Sequence, residues 1–280
     1  MWGNDCVKRP PVKRNKSIFT FHGWTLHGFF MRNIKLTIAY DGTPFRGWQI
    51  QREKNTVQEI VQNALTKVVG SKVKLMGSGR TDSGVHALAQ VAHFLTDTKI
   101  PCEGIKLAVN NLLPAEIKII GAEDVHKEFH SQYNAKRKSY RYLIYCSTYL
   151  HPLLINRVWH MRKKPDIKKM SSSAKRLLGE HDFTSFKGAK SSIKTSVRRL
   201  YDISVKMIND EISGEELISV TVSGEGFLKN MVRNIVGLLV EVGLSKIELS
   251  DVEKILNAKN RNFKFLCAPA GGLYLVEVKY

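Results

Sequence analysis

Between Ile34 and Ala122 the apolar period of the chain switches from two to about 3.6 and back, twice, and few folds accept that order of periods. Ile34, Leu36, Ile38 and Tyr40 alternate with Asn33, Lys35, Thr37 and Ala39, the pattern of a strand with one buried face. Thr56 to Val69 instead gathers Val57, Ile60, Val61, Ala64, Leu65 and Val68 on one helical face; Thr56 with Glu59 predicts a capping box, and Gly70 a stop. Val73 and Leu75 then alternate with lysines, a polar loop follows, and Ala89, Val91, Ala92, Phe94 and Leu95 predict the next strand. A helix through Ile105, Leu107, Ala108 and Leu112 and a strand from Ile117 to Ala122 complete the set. Strand, helix, strand, strand, helix, strand is the order of a ferredoxin-like split βαβ unit, a layout shared with RNA-recognition modules (RRM-like). It predicts an α+β class with a largely antiparallel sheet and helices on one face.

The polar, basic stretch from His130 to Lys138 marks a join. We therefore expect two α/β halves, residues 31–135 and 136–280, preceded by an N-terminal extension, residues 1–30. In the second half, period two places Tyr140, Tyr142 and Ile144 on one face of a strand and Arg141, Leu143 and Tyr145 on the other. Two readings stand for these tyrosines: a platform on which bases stack, or core rings whose hydroxyls find polar partners. A helix from Asp166 to Leu178, strands near Tyr201 to Met207 and Leu217 to Val222, and a helix from about Lys229 to Val242 follow. Another capped helix from Ser250 with Glu253 and a closing strand from Leu273 to Tyr280 end the chain. Arg233 lies in the first turns of its helix, where the dipole disfavours a cation, so a carboxylate or phosphate partner is expected beside it.

Length and charge bound the partners. At 280 residues the chain suits two modest cores, and its 44 Lys and Arg against 25 Asp and Glu give a net charge of +19. Such an excess attracts polyanions, and nucleic acid is the commonest. No basic amphipathic helix suited to a lipid surface stands out, and no apolar run approaches about 18 residues, so no membrane partner is expected. The basic stretch from Lys187 to Arg199 is placed to wrap an RNA backbone. Cys6, Cys102, Cys146 and Cys267 form no Cys-x-x-Cys pair, which points away from zinc and disulfides and toward the reducing cytoplasm. His126 and His130 have helical ligand spacing, but Lys127 stands where the zinc-hydrolase pattern needs glutamate, so both are read as non-ligands and no metal is expected. Residues 1–30 are basic and then aromatic, open to reading as an organelle-targeting segment or as an arm on nucleic acid; the simpler expectation is that Met31 is the start.

Two stretches carry the chemistry. Gly77, Gly79 and Gly84 frame Arg80 and Asp82, a composition suited to a ligand-facing loop and poor for a core. By spacing alone, an ion pair across an ordinary turn is the commoner fate of residues placed like Arg80 and Asp82. The turn-rich stretch Asp41 to Gln49 holds Arg46 and Trp48, residue types that grip phosphates and stack on bases; packing of Trp48 over the strand edge is the other reading.

Taken in order, several motifs resemble one family. Tyr40-Asp41-Gly42-Thr43 with Phe45 and Gly47-Trp48-Gln49, then Gly79-Arg80-Thr81-Asp82-Ser83-Gly84-Val85-His86-Ala87, are similar to the two N-terminal signatures of the tRNA pseudouridine synthases of the TruA type. Tyr140-Arg141-Tyr142, His181-Asp182-Phe183-Thr184-Ser185-Phe186, Phe227-Leu228 with Met231-Val232-Arg233-Asn234-Ile235-Val236-Gly237, and Ala268-Pro269-Ala270 with Gly272-Leu273-Tyr274 resemble the C-terminal ones. The likeness runs from Met31 to Tyr280. It implies the pseudouridine synthase fold, two ferredoxin-like halves joined around a central cleft. The implied activity is isomerisation of uridine to pseudouridine at positions 38, 39 and 40 of the tRNA anticodon stem-loop, by a homodimer without cofactor or metal and with no DNA partner. Asp82 matches the catalytic aspartate, Tyr140 the ring that packs on the target uracil, Arg233 the cation that pairs with the aspartate, and Arg80 a loop arginine that helps flip the base and hold RNA. Ser131, Gln132 and Tyr133 depart from the family's small residue and arginine, so a phosphate contact there is expected to be missing or moved to Lys136 or Arg137. Two other classes remain: a nucleoside or glycoside hydrolase, which would want a second carboxylate, and a non-catalytic RNA-binding protein, which would not need Asp82.

Overall fold

The computed structural model describes residues 31–188, 195–260, 262–263 and 265–280; the 1–30 extension and positions 189–194 of the basic stretch lie outside them. The first alternating run becomes strand β1 (Arg32–Tyr40), with Ile34, Leu36 and Ile38 fully buried. Helix α1 (Val57–Val69), β2 (Met76–Gly77), β3 (His86–Thr96), α2 (Cys102–Leu112) and β4 (Ile117–Val125) follow in the expected order. Their sheet order is β4-β1-β3, with β2 on the far edge of β3. The second half repeats the scheme: β5 (Arg137–Cys146), α3 (Ile167–Lys175), β8 (Val197–Asn209), β9 (Glu216–Gly224), α4 (Met231–Gly243) and β10 (Leu273–Lys279) give the order β10-β5-β9-β8. Short strands β6 (Trp159–Met161) and β7 (Gly179–Asp182) and helix α5 (Asp251–Asn257) are added to it.

The two halves share one sheet, and the last strand makes the seam. β10 runs antiparallel to β5 and, over Tyr274 and Leu275, parallel to His86 and Ala87 of β3. β2 takes Ala92 and His93 on β3, so one edge of β3 serves both neighbours. Helices α1 and α2 pack together, as do α3 and α4, and the main core joins residues of both halves. A smaller cluster of Tyr145, Leu154, Val158 and Leu217 includes the tyrosine that period two assigned to the other face of β5. Among the described residues no helix is long and apolar enough to cross a membrane.

Several local expectations gave way to other contacts. Thr56 makes no capping bond; the first-turn amides of α1 are satisfied by chain from the preceding loop, Val57 N–H donating to Gly47 O (3.1 Å) and Gln58 N–H to Trp48 O (3.0 Å). Ser250 likewise makes no capping bond, and Glu253 instead pairs with Arg176 at 2.6 Å. Val73 and Leu75 are buried as alternation predicts, but only Met76 and Gly77 pair as strand. Side chains of α1 bond that segment instead, Thr66 to Val73 and Gln58 and Gln62 to Leu75. In α2 the buried face is Ile105 and Val109, while Leu107 and Leu112 are exposed.

Candidate active site

The loop between β2 and β3 is built against the 41–48 loop, backbone on backbone. A Cβ on Gly42 would lie 2.0 Å from Val85 O, and one on Gly47 would lie 2.6 Å from Thr81 O, so glycine is what lets the two loops touch. Trp48 N–H donates to Thr81 O (3.1 Å), Ser83 Oγ to Phe45 O (3.1 Å), and the hydroxyls of Tyr40 and Thr81 share a 2.8 Å bond. Trp48 itself is buried, its ring against Gly77, so it packs beneath the loop and offers no surface for a base. Arg46 is exposed and paired with Glu53.

Asp82 therefore sits on a stiffly supported loop, and its ionic partner comes from the other half. Asp82 Oδ2 lies 3.7 Å from an Nη of Arg233, with the two side chains 29% and 18% exposed. Arg80 makes no ion pair with Asp82, which removes the turn-pair reading; it is exposed, with no hydrogen-bond or ion-pair partner among the described residues. Arg233 is the third residue of α4, a helix whose middle is buried on nearly all sides, and this holds its backbone firmly. Arg233 Nε donates to Ala268 O at 2.6 Å, and Ala268 N–H donates to Arg233 O at 3.2 Å. The carbonyl and Asp82 together compensate the cation at the unfavourable end of the dipole.

Tyr140 brings the third group. It is 8% exposed, with Phe227 edge-on at 5.2 Å between ring centres. Burial, with the nearby charges of Tyr40 and Asp82, pushes its phenol well above the ordinary value, so it is a neutral ring over the physiological range. Tyr142 is a core tyrosine, its hydroxyl donating to Pro269 O at 2.7 Å. A carboxylate, a fixed guanidinium and a buried aromatic ring thus lie together at the seam, with an exposed arginine on the same loop. That set suits a planar, uncharged base presented to an anionic group.

Several contributors were missed from the sequence. Ala268 acts through its backbone, which no side-chain motif reports. Lys138, one of a basic row, is mostly buried and reaches Ser78 O at 2.5 Å. His86 is 3% exposed and bonds carbonyls of the other half; its signal was only its place in a motif. At the departure from the family pattern, Ser131 is buried with Oγ donating to Met76 O (2.7 Å), and exposed Tyr133 stacks on His130 at 4.2 Å. Lys136 is exposed, whereas the Arg137 guanidinium lies over the Tyr201 ring at 5.8 Å.

A family model described as tRNA pseudouridine synthase matches residues 36–134 and 173–280. The tRNA pseudouridine synthase A of Ruminiclostridium cellulolyticum is 46% identical over 250 residues, covering 89% of this chain and 100% of that protein. The proteins of the same description from Acetivibrio thermocellus and Thermoanaerobacter sp. are 44% and 43% identical, each over the same shares of both chains.

Proposed function

Since the chain belongs to the tRNA pseudouridine synthase family, we propose that it isomerises uridine to pseudouridine at positions 38, 39 and 40 of the tRNA anticodon stem-loop, with Asp82 as the catalytic carboxylate. The observation that carries the reading is the meeting of Asp82, Arg233 and Tyr140 across the seam. In the reaction the N1 glycosidic bond breaks, the base turns, and C5 bonds to the same ribose carbon. C5 loses a proton and N1 gains one, so atoms and charge balance without a redox partner or phosphate donor. A carboxylate so placed acts at the ribose carbon, at uracil C6 or on a ribose proton, and in each route Arg233 is its paired cation. The uridine must leave the stack at a cost of a few kcal/mol, and Tyr140 packing on the base and Arg80 holding the backbone offset it. The same reading includes a homodimer, for which light scattering at assay concentration is the check.

Incubation with an unmodified tRNA transcript and pseudouridine mapping tests the assignment. Pseudouridine at 38 to 40 is expected, with none in Asp82→Asn and tRNA binding close to wild type. Robust turnover by that variant would overturn the role of Asp82, and release of free uracil would make the protein a hydrolase.

A further inference from the structure

The reacting groups come from two halves, and the strands that join those halves near the site pair over only Tyr274–His86 and Leu275–Ala87. The shared core joins the halves as bodies, and side-chain ties at the loop itself set the finer register of Asp82 against Arg233. Besides the Arg233–Asp82 pair, the Tyr280 hydroxyl on Ser131 O and Arg157 near Asp41, two side chains cross the seam at the stems of the loop itself, one at each. At the leading stem, Lys138 of β5 sends Nζ to Ser78 O at 2.5 Å, and the amine lies 3.3 Å from where a Gly79 Cβ would be. No carboxylate pairs with this lysine among the described residues. Its bond goes to a backbone carbonyl of the opposite half. At the trailing stem, His86 Nε2 is 2.9 Å from Asn156 O and 3.1 Å from Gly271 O, both in the C-terminal half. Carbonyls only accept, so Nε2 carries the proton. Nδ1 lies 3.1 Å from Gly42 N and 3.2 Å from Asp41 Oδ1. Nδ1 accepts from the Gly42 amide, tying the supporting loop to the same point. The ring stacks on Tyr274 at 4.6 Å, and Tyr274 in turn bonds Arg157 O at 2.8 Å.

We propose that Lys138 and His86 are positioning residues, a two-point clamp that pins both stems of the 78–86 loop to the C-terminal half and so sets where Asp82 meets Arg233 and Tyr140. The clamp rests on the reading of Asp82 as the reacting carboxylate. Near-attack geometry is lost over about 1 Å, and a displacement of that size costs about 100-fold in rate. Loosening either pin should therefore show in turnover.

The test compares Lys138→Met, His86→Leu and His86→Gln with wild type in steady-state kinetics and in hydrogen exchange of the peptide spanning 78–86. Lys138→Met should lower kcat by about 100-fold with KM for tRNA within about twofold, and should speed exchange in 78–86 more than elsewhere. His86→Gln, which keeps a donor for the two carbonyls, should retain more activity than His86→Leu. If His86→Leu fails to fold, the other two variants carry the comparison. A raised KM with unchanged kcat for Lys138→Met would mean that the amine contacts RNA and would sink the clamp. So would unchanged exchange in 78–86. The exchange readout does not depend on chemistry, and Asp82→Asn assayed alongside separates failure of the clamp from failure of the catalytic assignment.

Discussion

Lys138 should make the stability of the protein rise with pH above about 8, and Lys138→Met should remove that rise. Burial pushes its amine from 10.5 down to about 8. In the unfolded chain the amine stays protonated up to about 10.5; in the folded protein only up to about 8. Between those values the unfolded state holds the extra proton, so the unfolding free energy increases with pH. Below about 8 both states are charged and the cost of burying the cation is present in full. The gap of about 2.5 pH units, at about 1.4 kcal/mol each, gives about 3 kcal/mol as the largest gain, with relaxation and the partial exposure of the side chain reducing it to about 1–3 kcal/mol. Methionine keeps the length and removes the charge. Urea unfolding of both proteins at intervals from pH 7 to 10.5 gives the assay. Tyrosines titrating in that range are common to both and cancel in the difference. The difference, wild type minus variant, should be flat up to about pH 8 and then climb. Parallel curves across the whole range would refute the idea that this cation is held at a cost.

Other expectations follow from the same geometry. Gly42→Ala drives a Cβ to 2.0 Å from Val85 O, a backbone atom that cannot step aside, so we expect a loss of about 1–3 kcal/mol in urea unfolding together with a fall in kcat. Arg233→Met removes the fixed cation beside Asp82 and should cost about 100-fold or more in kcat, measured by tritium release from uridine-labelled tRNA; near-normal turnover would show that Ala268 and α4 hold Arg233 for another purpose. Burial, helped by His130, lowers His93 to about 4. The unfolded chain therefore binds the proton first as pH falls below about 6.5, stability present above that value drains away down to about 4, and His93→Gln should lose up to about 3 kcal/mol of this acid sensitivity in matched melts.

What was legible beforehand was whatever repeats locally. Alternation from Ile34 to Tyr40 and from Tyr140 to Ile144 reports burial of one face, and the structure buries those faces. The apolar stripe of α1 and its stop at Gly70 were legible for the same reason. Capping at Thr56 and Ser250 was misread because a motif names a possible donor and acceptor, while the actual partner of an amide can come from anywhere in the chain. At α1 it came from Gly47 and Trp48, and the Trp48 ring is itself buried under the candidate site. Arg80 and Asp82 could not be told from a turn pair by spacing, because a two-residue separation allows that pair, whereas in the structure Asp82 pairs with Arg233.

The chain by itself determined the order of elements in each half, the positive charge that selects an anionic partner, and the glycine-framed loop that carries Asp82. The resemblance already implied Arg233 as the partner of Asp82, and the tertiary structure is what brings the two together. The last strand enters the sheet between β3 and β5, and only that choice of edge brings α4, Ala268 and Tyr140 to the loop and places Lys138 and His86 at its stems. Periodicity is a property of neighbours along the chain. Strand pairing across the seam is settled by which open edge the closing segment can satisfy once both halves exist, and no local pattern encodes it.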